Sequence, residues 1–402
     1  MALLHSGVGS FWGIHPFVLV VAAAGLDRLV GDHRWCPHPV VVMGWWISRL
    51  RPAAEHWAGD RPWPLRLAGG AITLALVLGS ALAGWAVERL ALDLSGGNPV
   101  VAGASQLLLV IALASALAGR SLEQAVTAVL VALPAAAAGA LPNTLPNSVQ
   151  TAQNSGDAPA SSPRPAAALG SSPASATPAD LLAARQALGW IVGRDTANLE
   201  APEILRAAAE TASENAVDGL FTPLFWMLVG AGLWSLGSTA APGPLALAWG
   251  FKAASTLDSM LGYRSGRLRW LGTAGARLDD LLVWLPCRLV ALTLPLLTQG
   301  QRQHGLALLR RALADGAPDP SPNAGVSQAA YAHAVGVQLG GWNRYGDQLK
   351  AKPLLAEGCP PPSAASVERM LQLTRRLELL WLLATTGVAT ALWALSAANI
   401  PQ

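Results

Sequence analysis

Ionisable side chains are scarce in this chain, and they gather in four stretches, of which residues 187–226 carry the most chemistry. Pro202 suits the first turn of a helix and Glu203 suits its positive end. From there Arg206, Glu210, Glu214 and Asp218 recur every four residues, so they lie along one slowly drifting helical stripe. Asp195 comes just before, in a Gly-Arg-Asp-Thr turn that also holds Arg194. Hard carboxylate oxygens at such spacing can share a Mg²⁺ ion whose remaining sites go to water and phosphate. The plainer reading is a solvated acidic face. Against it, the stretch holds no lysine to relieve the repulsion, and its helix runs straight into an apolar segment.

The other three stretches are sparser. In residues 26–44, Asp27 sits inside an apolar run, Asp32 follows a Gly31 turn, and His38-Pro39 precedes another apolar helix. An ionisable residue within a membrane segment is a functional candidate by default, although His38 alone reads as a turn or cap. In residues 251–289, Lys252, Ser255, Thr256 and Ser259 share a helical face with Asp258 beside it. Tyr263 and Arg264 follow a Gly262 turn, and Asp279-Asp280 open the next helix, where acids favour the dipole. In residues 319–346, Pro322-Asn323-Ala324-Gly325 reads as a turn before a small-residue helix, and Gly340-Gly341 leads to Trp342, Asn343 and Tyr345. Backbone amides there can approach a phosphate. The chain has no Gly-x-x-x-x-Gly-Lys-Ser/Thr loop, no His-Glu-x-x-His, no Gly-x-Ser-x-Gly and no Cys-x-x-Cys pair.

The elements that must position these groups are apolar. Of 402 residues, 52% are hydrophobic and only 13% charged, with mean hydropathy +0.38. A soluble domain carries about 25% charged residues, so much of this surface faces lipid. Charge-free spans are expected at 67–87 and 94–119. Pro242-Gly243-Pro244 divides the long run 219–251 into a span over 220–240 and a second helix through 245–260. A last span covers 379–398, and 17–30 is a partial or buried helix. Residues 281–297 contain Pro286 and Arg288, and basic residues flank them on both sides. A full crossing would place one basic group outside, against the positive-inside tendency, so a re-entrant or protein-buried helix is expected. Residues 140–179 are rich in Ala, Pro, Ser and Asn and read as a disordered low-complexity insertion. The first apolar stretch lacks the basic flank of a cleaved signal. Net charge is +3, but the basic residues are scattered, which argues against nucleic-acid binding. The expected fold is all-α: residues 1–402 form one polytopic membrane helical bundle, with re-entrant or interfacial helices and a polar active-site face.

Taken in order, the blocks LDRLVGD…PHPVVVMG, GRDTANL…AAAETASENAVDGLFTPLFW, KAASTLDSMLGYRS…LGTAGARLDDLLVWLPCRL and SPNAG…QLGGWNRYG resemble the signature blocks of the adenosylcobinamide-phosphate synthase family. One departure is Val326-Ser327-Gln328, where the family usually carries an acidic residue shortly after Asn-x-Gly. The resemblance implies an amide-forming ligase of cobalamin biosynthesis, multi-pass in the bacterial inner membrane. It would join adenosylcobyric acid to an amino-alcohol phosphate, aminopropanol phosphate or a relative, with ATP and Mg²⁺ as cofactors. Beyond the lipid bilayer, other membrane enzymes of the pathway are the partners this placement suggests. Carboxylate activation by phosphoryl transfer is catalysed mainly by positioning and charge stabilisation. On this reading the catalytic residues are Asp195, Glu210, Glu214, Asn215, Asp218, Lys252 and Asp258. Asp27, His38, Arg194, Tyr263, Arg288, Asn323 and Asn343 would bind substrate, and Glu214, Asp218, Asp279 and Asp280 would hold the metal. A corrinoid transporter would show an internal repeat of its spans, and none is found. A non-catalytic membrane sensor would have lost the Glu-Asn-x-x-Asp and Leu-Asp-Ser-Met blocks, which are intact.

Overall fold

The computed structural model describes residues 15–31, 38–96, 98–134, 180–236, 240–298, 305–346 and 348–398. Helices α1 Pro16–Val30, α2 Pro39–Ala58, α3 Pro62–Ser95 and α4 Pro99–Ala114 each open on a proline. The lost N–H is one that no helix could satisfy at that position. Then follow α5 Gly119–Val131, α6 Leu182–Gly189 and α7 Ala201–Ala216. A π turn, Val217–Phe221, joins α7 to α8 Thr222–Ser235. Next come α9 Pro244–Leu261, the short α10 Leu268–Leu271, and α11 Thr273–Thr293 with a 3₁₀ turn Leu294–Leu297. The chain continues through α12 Gly305–Gly316, α13 Ala324–Val335, strands β1 Leu339–Tyr345 and β2 Gln348–Leu355, and α14 Ala364–Ala398.

The class is all-α, with one antiparallel hairpin that the sequence reading did not foresee. Among the described residues, three helical segments are long and apolar enough to cross a membrane: Pro62–Ser95, Ala201–Ser235 and Thr273–Leu297. Helices α4 and α5 pass the same test together but bend by 42° at their junction. The expected span 67–87 therefore lies inside the 34-residue α3. The expected span 94–119 is corrected: α3 runs on to Ser95, and the 16-residue α4 then breaks before α5. The break at Pro242-Gly243-Pro244 falls where expected, between α8 and α9. The segment 379–398 is the second part of the 35-residue α14. Residues 140–179 lie outside the described residues.

Residues 281–297, expected to form a re-entrant or protein-buried helix, lie in α11 and the 3₁₀ turn that follows it. Pro286 sits inside α11 without ending it, and the helix is long enough to span. The guanidinium of Arg288 is not left without partners. It donates to Asn323 Oδ1 at 2.5 Å and to the Pro322 carbonyl at 2.9 Å, and stacks over the Trp284 ring. Saturated in this way, the charge carries far less of the penalty of an isolated arginine at bilayer depth.

Helix α9 is the hub, packed on α3, α8, α11 and α2. Its approach to α3 requires Gly84, because a Cβ there would stand 2.8 Å from the Ala246 Cα. Small residues let apolar helices approach closely where no hydrophobic drive acts between them. One turn further along α3, the buried Glu88 caps α9 by accepting from the N–H groups of Gly243 at 3.0 Å, Leu245 at 2.6 Å and Ala246 at 3.3 Å. Glu88→Ala would leave these donors buried and unpaired, at about 1–3 kcal/mol for each group left unsatisfied. A thermal melt in detergent should show a marked loss of stability for Glu88→Ala and a smaller one for Glu88→Gln, which keeps an acceptor. An unchanged melt for Glu88→Ala would remove the cap from the account.

Candidate functional site

The site begins with a proline. Pro223 has no N–H to give the Gly219 carbonyl four residues back, and that carbonyl instead accepts from the Ala118 N–H at 2.9 Å. The backbone widens into the π turn, with the Thr222 N–H reaching the Val217 carbonyl. Such bulges are frequent at functional sites because they re-aim side chains, and this one carries Asp218. The same contact anchors the start of α5. Asp27, itself buried, completes the anchor by accepting from the Gly119 N–H at 3.1 Å and the Arg120 N–H at 3.3 Å.

These anchors hold α5 against α7 and leave a cleft of about 480 Å³. Ser121 and Leu122 of α5, Asn215 of α7 and Asp218 of the π turn, and Lys252 and Ser255 of α9 line it. Trp190, at the end of α6 and 89% exposed, stands at its rim with Ile191 and Val192. An apolar wall with a few convergent polar groups is the ordinary form of a ligand cleft.

The acidic stripe divides into unlike parts. Glu210 is buried and already neutralised: one oxygen meets Arg194, the other accepts from Arg206 at 3.4 Å and from the Gly340 N–H at 3.1 Å. Expected to be catalytic, it ties α7 to the hairpin in the structure. Arg194 and Asn343, expected to bind substrate, belong to the same tie, since Arg194 donates to Asn343 Oδ1 at 2.7 Å. Glu214 accepts from Gln328 Nε2 at 2.6 Å and lies within electrostatic reach of Lys352. Asp218 has Asp279, Glu214 and Asp258 as charged neighbours, with Lys252 opposing them.

Several other expectations find structural duties. Asp27 caps α5, and His38 caps α2 by accepting from the Val40 N–H at 3.3 Å. Arg288 and Asn323 fasten the 320–323 turn to α11, with Asn323 Nδ2 donating to the Asp280 carbonyl at 2.8 Å. Asp195 holds its own turn, accepting from the Ala197 N–H at 2.9 Å, and Tyr263 is exposed away from the cleft. None of these residues lines the cleft.

Nothing in the sequence signalled Trp190 at the cleft rim, or Gln328 and Lys352 beside Glu214. Lys352 reaches from β2 toward Glu214 and stands 3.6 Å from Asp319. Burial disfavours its charge, but Glu214, Asp319 and Glu210 outweigh that and raise its pKa above the usual lysine value. Burial also raises the Asp258 carboxyl to about 6, reinforced by Asp280 and Glu214.

Among the described residues no three His, Cys, Asp or Glu side chains converge to hold a metal ion. The expected cage of Glu214, Asp218, Asp279 and Asp280 is therefore not preformed. Mg²⁺ in phosphate sites is commonly held by one or two carboxylates, with water and substrate phosphate supplying the rest. Asp218 and the Asn215 amide, lining the cleft beside Lys252, fit that kind of partial donor set.

The family described as CobD/Cbib protein matches residues 20–147 and 166–374. Cobalamin biosynthesis protein CobD of Synechocystis is 36% identical over 95% of this chain and 95% of its own length. Cobalamin biosynthesis protein CobD of Geobacter metallireducens is 34% identical, covering 93% and 97%. Cobalamin biosynthesis protein CbiB of Salmonella choleraesuis is 31% identical, covering 90% and 92%. No solved structure matches the chain.

Proposed function

Since the chain belongs to the CobD/Cbib family and so has a role in cobalamin biosynthesis, we propose that it forms the amide bond that joins adenosylcobyric acid to an amino-alcohol phosphate. The observation that carries this reading is the pairing of Asp218 and Lys252 in one cleft whose far wall is apolar and aromatic. A corrin carries broad apolar faces and carboxylate arms, which suits Trp190, Ile191 and Val192 on one side and a charged floor on the other. The proposed setting is the bacterial inner membrane.

An unactivated carboxylate is a poor acyl donor, and ATP with Mg²⁺ would supply phosphoryl activation and offset the developing charge. Asp218, with Asn215 beside it, would hold the cation. Lys252 would bind phosphate oxygens, positioned for the charge that builds as the carboxylate is activated. Ser121 and Ser255 offer neutral hydrogen bonds to the corrin side chains. Glu214, braced by Gln328, would act through position, keeping Lys352 and the hairpin against α7.

The pH profile offers one check. With its pKa raised to about 6, Asp258 is neutral below that pH and negative above it. The carboxylate group thus loses charge on acidification, and cation-dependent turnover should fall through about pH 6. Asp258→Asn should show no such acid limb. A wild-type profile flat across that range would remove Asp258 from the reading.

The pathway offers the broader test. A strain lacking this gene should fail to make cobalamin from cobyric acid yet succeed from cobinamide, which already carries the amino-alcohol arm. Normal use of cobyric acid by that strain, with no second gene copy, would sink the ligase reading. Impaired use of both corrinoids would favour a transporter.

A further inference from the structure

A second cavity, of about 320 Å³, lies apart from the cleft and shares none of its lining residues. Pro295 and Leu297 at the end of α11, His333 of α13, and Arg369, Gln372 and Arg376 of α14 line it. The three α14 residues are spaced three and four apart, so they share a helix face. Neither Arg369 nor Arg376 has an ion pair or hydrogen bond to another described residue. His333 is already engaged, its Nε2 lying 2.8 Å from Asp315 Oδ2. The cavity is therefore edged by two exposed guanidinium groups and an exposed amide, against an apolar wall. Guanidinium forks match phosphate oxygens in geometry and charge.

Its height in the molecule narrows the ligand. Pro295 and Leu297 close the apolar helical segment Thr273–Leu297, and Arg376 lies just before the charge-free stretch that starts at Leu379. One apolar helix of membrane-spanning length thus ends at this cavity, and the charge-free part of α14 begins beside it, a placement that suits a lipid headgroup. Basic pockets between membrane helices at that depth hold anionic headgroups. We propose that this cavity binds a phosphate ester, with the headgroup of an anionic phospholipid as the occupant that its position favours.

The test uses the full chain in nanodiscs of phosphatidylcholine, with and without phosphatidylglycerol, and reads the melting temperature. Wild type should melt higher when phosphatidylglycerol is present. Arg369→Gln/Arg376→Gln should lose that increment, and Arg369→Lys/Arg376→Lys should keep part of it. Arg310→Gln/Arg311→Gln, which removes equal charge outside the cavity, should keep it in full. If inorganic phosphate in plain phosphatidylcholine nanodiscs gives the same increment, lost in the same Gln variant, the phosphate site stands and its source is soluble. Equal increments in wild type and the Arg369→Gln/Arg376→Gln variant, no increment at all, or equal loss in the Arg310→Gln/Arg311→Gln control would overturn the proposal.

Discussion

Asp218→Asn is expected to abolish turnover while leaving expression, membrane insertion and thermal stability near wild type. The substitution keeps shape and hydrogen-bonding capacity but removes the charge a cation needs. It also relieves repulsion, because Asp218 has three acidic neighbours in Asp279, Glu214 and Asp258. A residue kept for stability would not be placed so. Removing the charge should therefore leave the fold as stable or more so while activity is lost, a combination that a solvated acidic face cannot produce. Glu214→Gln should behave differently. Glu214 does not line the cleft, and its loss should loosen the Lys352 hairpin, lowering activity together with stability. Normal turnover by Asp218→Asn would remove the π turn from the chemistry.

The second large effect is expected at Lys252. Truncation to Met keeps the apolar stem and deletes the charge. Removing one preorganised charge-stabilising donor costs about 10²–10³ in rate. The loss should appear in kcat, since the lysine is proposed to act on charge that develops during activation. A rise in KM alone would make Lys252 a ground-state binding residue instead. Asp218 and Asp279 are the carboxylates it faces. Part of its duty is thus to keep those two carboxylates tolerable side by side.

The four-residue spacing of Arg206, Glu210, Glu214 and Asp218 was enough to place a polar helix face at the site. It could not reveal that Glu210 is neutralised by two arginines, because Arg194 lies in a separate turn. The π turn had a local cue in Pro223, which denies the preceding turn a donor. Asp27 looked functional because an acid in an apolar run usually is, yet its partners are backbone N–H groups of α5, distant in sequence. The hairpin escaped notice since its strands carry Gly340, Gly341, Lys350 and Lys352 rather than alternating apolar residues. Lys352 and Gln328 were lost with it: each meets Glu214 only through tertiary packing. Counting charges along the chain also could not show the Asn323 and Pro322 oxygens that meet Arg288 in α11.

The most direct measurement uses purified protein in nanodiscs with adenosylcobyric acid, aminopropanol phosphate, ATP and Mg²⁺, analysed by mass spectrometry. The account predicts a corrinoid heavier than the starting acid by the mass of the amine less one water. That product should be absent without the protein and absent with Asp218→Asn. Unaltered adenosylcobyric acid in every mixture, from protein that still binds the corrinoid, would contradict it.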